Sequence, residues 1–130
     1  MKGIDTNVLV RYLVQDDPDQ ARKASRFIAE GCTAEDPGIV NRIVLCELVW
    51  VLESAYSYSR EKVALALEGM LRTAQFKIEN HEEAWSSLRE YRSGADFAAA
   101  LICHVNRGLG CEATVTFDRR AGRMAGFIVL

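Results

Sequence analysis

Two aspartates stand at places in the sequence where a carboxylate can do chemistry. Asp5 follows a predicted strand over 2–4, and Asp118 follows a predicted strand over 113–117. Open parallel sheets bind ligands at the carboxyl ends of their strands. For either aspartate alone, a helix cap or a turn cap is the commoner role, so both roles stay open at this point.

Glu47 is the only charged residue from 43 through 52, where the sequence reads Ile-Val-Leu-Cys-Glu-Leu-Val-Trp-Val-Leu. Periodicity predicts a helix over 43–56 that is apolar on nearly every side, so we expect Glu47 to be buried or nearly so. Burial of a carboxylate is costly unless the group is paired, protonated or bound to a metal. An ion pair with Arg11 or with Arg42 is the structural alternative to a functional role.

Asp5, Glu47 and Asp118 would repel each other at one end of a sheet unless a cation lay among them. Oxygen ligands without His or Cys favour Mg²⁺ or Mn²⁺ over zinc. Such ions polarise a phosphodiester and activate a bound water, which makes phosphate chemistry the natural expectation. Asp96, at the start of an apolar helix, is either a further acid of this kind or an N-cap.

Other reaction classes find less support in the sequence. His81 stands among polar residues, His104 lies late in an apolar helix, and neither GxSxG nor a Gly-rich phosphate loop occurs. A phosphoacceptor domain would carry acids at strand ends too, but no Lys follows Lys77 to serve as the late-strand lysine of a receiver. Trp50 and Trp85 have core spacing, so we expect them in the core and not as stacking surfaces for bases.

Length and composition predict one globular domain over 1–130. The chain has 130 residues, of which 49% are hydrophobic and 26% charged. Its formal charge of -2 supplies no global basic field for a nucleic acid or a membrane. Residues 85–130 are mildly basic, so a phosphate-bearing ligand would be attracted locally or through bridging cations. Arginine makes up most of the basic residues, which suits phosphate but also follows from an Arg-rich genome.

The cysteines and the apolar runs predict a cytoplasmic protein. The 4 cysteines form no CxxC pair, which fits a reduced compartment. No secretory signal is visible, and no apolar run approaches the ~20 residues of a membrane span. We therefore expect neither export nor membrane insertion.

Strands and helices alternate along the predicted chain. The predicted strands lie at 2–4, 39–40, 76–78, 113–117 and 127–130, and alternation of this kind favours βαβ units with a parallel sheet covered on both faces. Polar residues precede the helices that connect them. The predicted N-caps are Asp17, Asn41, Ser59 and Asn80, the last of them paired with Glu83.

Three segments together resemble a known family: Ile-Asp-Thr-Asn-Val-Leu-Val at 4–10, Glu-Leu-Val-Trp-Val-Leu at 47–52 and Thr-Phe-Asp-Arg at 116–119. The chain resembles PIN-domain proteins of the VapC toxin type over essentially its whole length. The resemblance implies a three-layer α/β/α sandwich around a mostly parallel sheet of about five strands. It also implies a Mg²⁺- or Mn²⁺-dependent endoribonuclease that is inhibited by a cognate antitoxin. We expect an RNA substrate and a homodimer.

Carried over by position, the resemblance assigns catalysis and metal binding to Asp5, Glu47 and Asp118, with Asn7 and Thr116 as supporting polar groups. The sequence departs from the family at Ala99, where relatives usually have an Asp. Asp96 and residue 99 are i and i+3 on one helix face, so Asp96 is assigned to the site as the substitute acid. The alternative is a PIN-like module that binds RNA or an antitoxin without cutting.

Overall fold

The computed structural model describes residues 1–130 and contains six α-helices, five short β-strands and one 3₁₀ turn. All strand pairs are parallel, which confirms the predicted α/β class. The chain forms two compact units, unit 1 over Met1–His81 and unit 2 over Glu82–Leu130. The single domain expected over 1–130 stays a prediction. None of the helices has the length and apolar character needed to cross a bilayer.

Unit 1 contains a three-stranded parallel sheet in the order β1, β2, β3. Its register pairs Lys2 with Gly38 and Gly38 with Phe76. In chain order the elements are β1 (Lys2–Gly3), α1 (Thr6–Val14), α2 (Pro18–Gly31), β2 (Gly38–Val40), α3 (Arg42–Ser54), α4 (Arg60–Arg72) and β3 (Phe76–Ile78). The predicted strands at 2–4, 39–40 and 76–78 are all present, within one residue at each end.

Side-chain caps fix the starts of three helices in unit 1. Asp17 accepts a hydrogen bond from the backbone N of Gln20 at 3.0 Å, at the start of α2. Asn41 accepts from Val44 N at 2.9 Å and Ser59 from Lys62 N at 3.2 Å, at the starts of α3 and α4. Each bond satisfies a backbone donor that the first helical turn leaves unpaired, and all three predicted caps are confirmed.

The fourth predicted cap, Asn80, is wrong. Asn80 has a φ of 56°, in the left-handed region, whereas a capping residue needs an extended backbone. Its Oδ1 accepts from Nη1 of Arg42 at 3.4 Å instead of closing the first turn of the following helix with Glu83. The dihedral makes this segment a turn, which an Asn side chain tolerates better than most residues.

Unit 1 builds its core from the apolar faces of its helices against the sheet. In α3, Leu45, Leu48 and Leu52 are fully buried, as is Val40 of β2. Gly38 permits the close approach of the chain to this core, because a Cβ there would meet the side chain of Ile4. Burial of each such leucine stabilises the fold by roughly 1.5–3 kcal/mol.

Unit 2 contains a separate parallel pair of strands. Its elements are α5 (His81–Arg92, which starts at the boundary), α6 (Phe97–Gly108), β4 (Thr114–Thr116), a 3₁₀ turn (Ala121–Arg123) and β5 (Phe127–Val129). Thr114 pairs with Phe127, and Thr116 pairs with Val129. The five strands expected in one sheet are therefore divided between a three-stranded and a two-stranded sheet.

Candidate active site

Asp5 stands between β1 and α1, as the sequence predicts. Its Oδ1 accepts a hydrogen bond from Thr6 N at 2.9 Å, so the residue caps α1. The other oxygen, Oδ2, has no hydrogen-bond partner, and the side chain is exposed. The cap role of Asp5 is therefore confirmed, and its other oxygen is available to a ligand, so the cap does not exclude the functional role.

A cavity of about 740 Å³ borders Asp5 and the exposed Asn7. Its basic lining residues are Lys2, Arg11 and Lys23. Arg11 is occupied, since its guanidinium donates to Gln20 and to Asp16, whereas Lys2 lies over the ring of Phe27 at 5.9 Å from its centroid. The cavity thus presents a free carboxylate oxygen beside positive charge.

Glu47 is exposed, which contradicts the expectation of burial. It shares one face of α3 with Ile43 and Trp50, at i-4 and i+3, and these apolar neighbours are 73% and 66% exposed. Helix α3 buries the opposite face, which carries its leucines. Both faces of the helix are apolar in sequence, but only the leucine face packs in the core. The expected core position of Trp50 is wrong for the same reason.

Neither proposed ion pair of Glu47 forms. Arg11 donates to Asp16 at 2.8 Å, and Arg42 lies 3.8 Å from Glu79. The Glu47 carboxylate has no hydrogen-bond or ion-pair partner at all. A structural salt bridge is therefore excluded as the reason for this glutamate, and both of its oxygens are available.

The two assigned acids of unit 2 are exposed and engaged with backbone donors. Asp96 caps α6, because its Oδ2 accepts from Ala99 N at 2.9 Å. Asp118 Oδ1 accepts from Arg120 N at 2.8 Å in the turn after β4. Thr116 Oγ1 in turn accepts from Asp118 N at 3.0 Å, so the threonine orients the aspartate that follows its strand.

The structure places Asp5, Asn7 and Glu47 in unit 1 and Asp96, Thr116 and Asp118 in unit 2. It contains no group of three or more His, Cys, Asp or Glu side chains that could hold a metal ion. The assignment of these residues to one metal site stays a prediction that rests on the sequence motifs.

Residues 3–127 match the PIN domain family. This chain belongs to that family. PIN domains are generally nucleases, typically metal-dependent, so the chain has a nuclease-type fold. No curated protein and no solved structure matches the sequence.

The donor chemistry of this PIN domain fits a hard divalent ion. All four assigned acids supply carboxylate oxygens, which Mg²⁺ and Mn²⁺ prefer, and all four are accessible to solvent. Glu47 offers two unoccupied oxygens, while Asp5, Asp96 and Asp118 each have one oxygen in a cap or turn hydrogen bond. These four side chains are therefore of the right chemical type to bind Mg²⁺ or Mn²⁺.

Asp16, another acid of unit 1, has a carboxylate whose two oxygens are both hydrogen-bonded to side chains. Asp16 accepts from the Tyr56 hydroxyl at 2.9 Å and from Arg11 at 2.8 Å. The Tyr56 hydrogen bond, with help from Arg11, lowers the pKa of Asp16 below its usual range. The same contact with Asp16 raises the pKa of Arg11. These side chains form a structural cluster, which distinguishes Asp16 from the unpartnered Glu47.

Sequence reasoning missed the surface residues that flank Asp118. Phe117 is 83% exposed, and Arg119, Arg120 and Arg123 are exposed as well. The sequence carries a signal for them in the pair of arginines directly after Asp118, but the Arg-rich composition of the whole chain concealed it.

Proposed function

We propose that this PIN domain is a Mg²⁺- or Mn²⁺-dependent endoribonuclease and the toxin of a toxin–antitoxin pair. The observation that carries the proposal is Glu47, an exposed and unpartnered carboxylate within an apolar segment of a nuclease-type family. Nothing in the packing of α3 requires a charge there. A ligand requirement explains why that face carries an acid.

Asp5, Glu47 and Asp118 would hold one or two divalent ions, with Asp96 assisting. Such ions polarise the RNA phosphodiester and lower the pKa of a bound water. The chain's own contribution is orientation. Thr6 fixes one oxygen of Asp5, and Thr116 fixes the backbone of Asp118, so that each carboxylate is held in one direction before a ligand arrives.

The partners follow from the same proposal. A toxin of this type acts on RNA in the cytoplasm, and a cognate antitoxin blocks it near the acidic residues. We also propose a homodimer. Support for these finer points comes from the resemblance of the motifs at 4–10, 47–52 and 116–119 to VapC-type toxins.

The alternative is a PIN module that binds RNA or an antitoxin without cutting. Ala99 favours it, because the position where relatives usually carry an acid contributes only a backbone N–H, donated to Asp96 at 2.9 Å. Asp96 is a substitute acid only if its second oxygen serves a metal while Oδ2 caps α6.

Cleavage of a labelled single-stranded RNA by purified protein decides between the two. The proposal predicts cleavage with Mn²⁺ or Mg²⁺, none with EDTA, and recovery when metal is restored. A protein that binds the RNA but leaves it intact at every metal concentration supports the non-cutting module. Glu47→Gln serves as the negative control, since the amide keeps the shape and removes the charge.

A further inference from the structure

An exposed aromatic residue and three exposed arginines lie close to Asp118 in the sequence of unit 2. Phe117 is 83% exposed, more than any other large hydrophobic residue of the chain. Arg119, Arg120 and Arg123 follow within six residues, and each is exposed. We call these four residues the β4 patch. An exposed aromatic ring within six residues of three exposed arginines combines the two kinds of side chain that single-strand binding surfaces use.

The arginine side chains of the β4 patch are available to a ligand. None of the three guanidinium groups has a hydrogen-bond or ion-pair partner. Two surface arginines of α2 are occupied by contrast: Arg22 lies 3.0 Å from Asp19, and Arg26 lies 3.1 Å from Glu30. Three unpaired guanidinium groups in one short segment repel each other, and an anion removes that repulsion.

The backbone under the β4 patch is fixed by hydrogen bonds. Asp118 accepts Arg120 N at Oδ1 and Gly122 N at its carbonyl, at 2.8 and 3.1 Å. Arg123 N donates to the Arg120 carbonyl at 3.2 Å. Gly122 fits against the side chain of Val129, where any larger residue would clash. The turn therefore presents its arginines without an ordering cost to the backbone on binding.

A cavity with space for a ligand lies beside two of these arginines. A cavity of about 630 Å³ in unit 2 is lined by Arg120, Arg123 and Met124 together with the end of α5 around Ser93 and Gly94. Glu90 is the only acid in its lining, and it is engaged with His104 at 3.0 Å. Positive charge consequently dominates this cavity.

We propose that the β4 patch binds single-stranded RNA and holds the strand beside Asp118. Arginine forks match phosphate oxygens, and an exposed aromatic ring stacks on an unpaired base of any sequence. The combination of stacking and charge is what single-strand binding surfaces use, whereas an acidic peptide would need the cations but not the ring. The inference rests on the proposed function, because it takes RNA as the ligand, and it adds the surface that recognises it.

Binding of a short fluorescein-labelled oligouridine, followed by anisotropy in EDTA, tests the patch without requiring cleavage. Phe117→Ala should weaken binding by roughly 5- to 100-fold, the effect of losing one stacked base. Phe117→Trp should retain the wild-type affinity, and Phe117→Leu should resemble Phe117→Ala. Because Phe117 is exposed, all three variants should keep the fold, and an unchanged melting temperature would show this.

A matched pair of double variants distinguishes RNA binding by the β4 patch from a general attraction of RNA to positive charge. Arg120→Gln with Arg123→Gln should lower the slope of log affinity against log salt by about 1.4, because each phosphate contact to a single strand contributes about 0.7. Arg22→Gln with Arg26→Gln removes the same charge from α2 and should leave the slope unchanged. Equal losses in both double variants would overturn the proposal.

The remaining outcomes distinguish this inference from the nuclease itself. Metal-dependent cleavage by wild type, with RNA affinity unaffected by every patch variant, would overturn the β4 patch and leave the nuclease standing. Patch-dependent binding without cleavage would support the patch and overturn the nuclease. If binding of a labelled oligoglutamate depends on Arg120 and Arg123 while binding of oligouridine does not, the ligand is an acidic peptide and the RNA proposal is wrong.

Discussion

Glu47 of unit 1 and the assigned acids of unit 2 differ in what their oxygens already do, and Asp5 of unit 1, which caps α1, resembles the acids of unit 2. In unit 1, Glu47 is exposed and has no partner, and it lies on a helix whose start is fixed by Asn41. In unit 2, Asp96 and Asp118 each accept a backbone N–H, at 2.9 and 2.8 Å. A change at Glu47 therefore removes a ligand and nothing else, whereas a change at Asp96 or Asp118 also alters local structure.

This difference separates function from stability. An acid that serves no structural purpose can be replaced without cost to folding, and its loss then reports on ligand binding alone. An acid that caps a helix can serve both stability and ligand binding. Only a substitution that keeps the cap reveals its contribution to ligand binding. Asn does so for Asp96, since Asn and Asp cap equally well.

Glu47→Gln should have the largest effect. We expect RNA cleavage to fall by at least roughly 100-fold, the scale for loss of one strong electrostatic stabiliser of a transition state. The melting temperature in EDTA should not change, because the carboxylate has no partner to lose. Glu35→Gln, which removes another exposed glutamate, is the control and should keep full activity. A fall in the melting temperature of Glu47→Gln would show a structural partner.

Asp96 should come next. If it replaces the acid missing at Ala99, Asp96→Asn should lower cleavage roughly 10- to 100-fold with little change in stability. Asp96→Ala should lower cleavage as much and also cost about 1 kcal/mol of unfolding free energy, because the cap of α6 is lost.

Ala99→Asp provides the reverse test of the same position. It should add little if Asp96 already supplies the charge. A rise in cleavage and in Mn²⁺ affinity by calorimetry, with Asp96→Asn unchanged in both, would show that Asp96 is only a cap and that the site lacks a ligand.

Thr116 should show a smaller effect. Thr116→Val removes the acceptor for Asp118 N, so we expect a loss of about 1 kcal/mol in unfolding free energy and a modest fall in cleavage. Thr116→Ser retains the hydroxyl and should restore both. Denaturant unfolding and the cleavage assay check the pair, and a failure of Ser to restore activity would indicate that the methyl group matters instead.

The smallest effect concerns Asp16, the fully engaged acid of unit 1. Its folded pKa is lowered, so its stabilising contribution is present above the ordinary value of 3.8 and is lost as the pH falls through the lowered pKa. Tyr56→Phe removes the main cause of the shift. The variant should be slightly less stable than wild type at neutral pH, and the difference should shrink as the pH falls below 3.8. A difference that persists in acid would trace to packing of the ring.

Local features of the fold were predictable from sequence because their causes are local. Asp17, Asn41 and Ser59 cap helices through donors three residues away, and strand positions follow from short apolar runs between such caps. The exposure of Glu47 and Trp50 was not predictable in the same way. Apolar residues occur on both faces of α3, and which face the core covers depends on elements distant in sequence.

Paramagnetic broadening by Mn²⁺ in the NMR spectrum of isotope-labelled protein tests whether the four assigned acids share one metal site. At substoichiometric Mn²⁺, we expect the backbone signals of Asp5, Glu47, Asp96 and Asp118 to broaden together, and excess Mg²⁺ to restore them. Glu47→Gln should weaken the broadening at the other three residues. Broadening confined to the acids of one unit, or none at any of the four, would contradict a shared metal site.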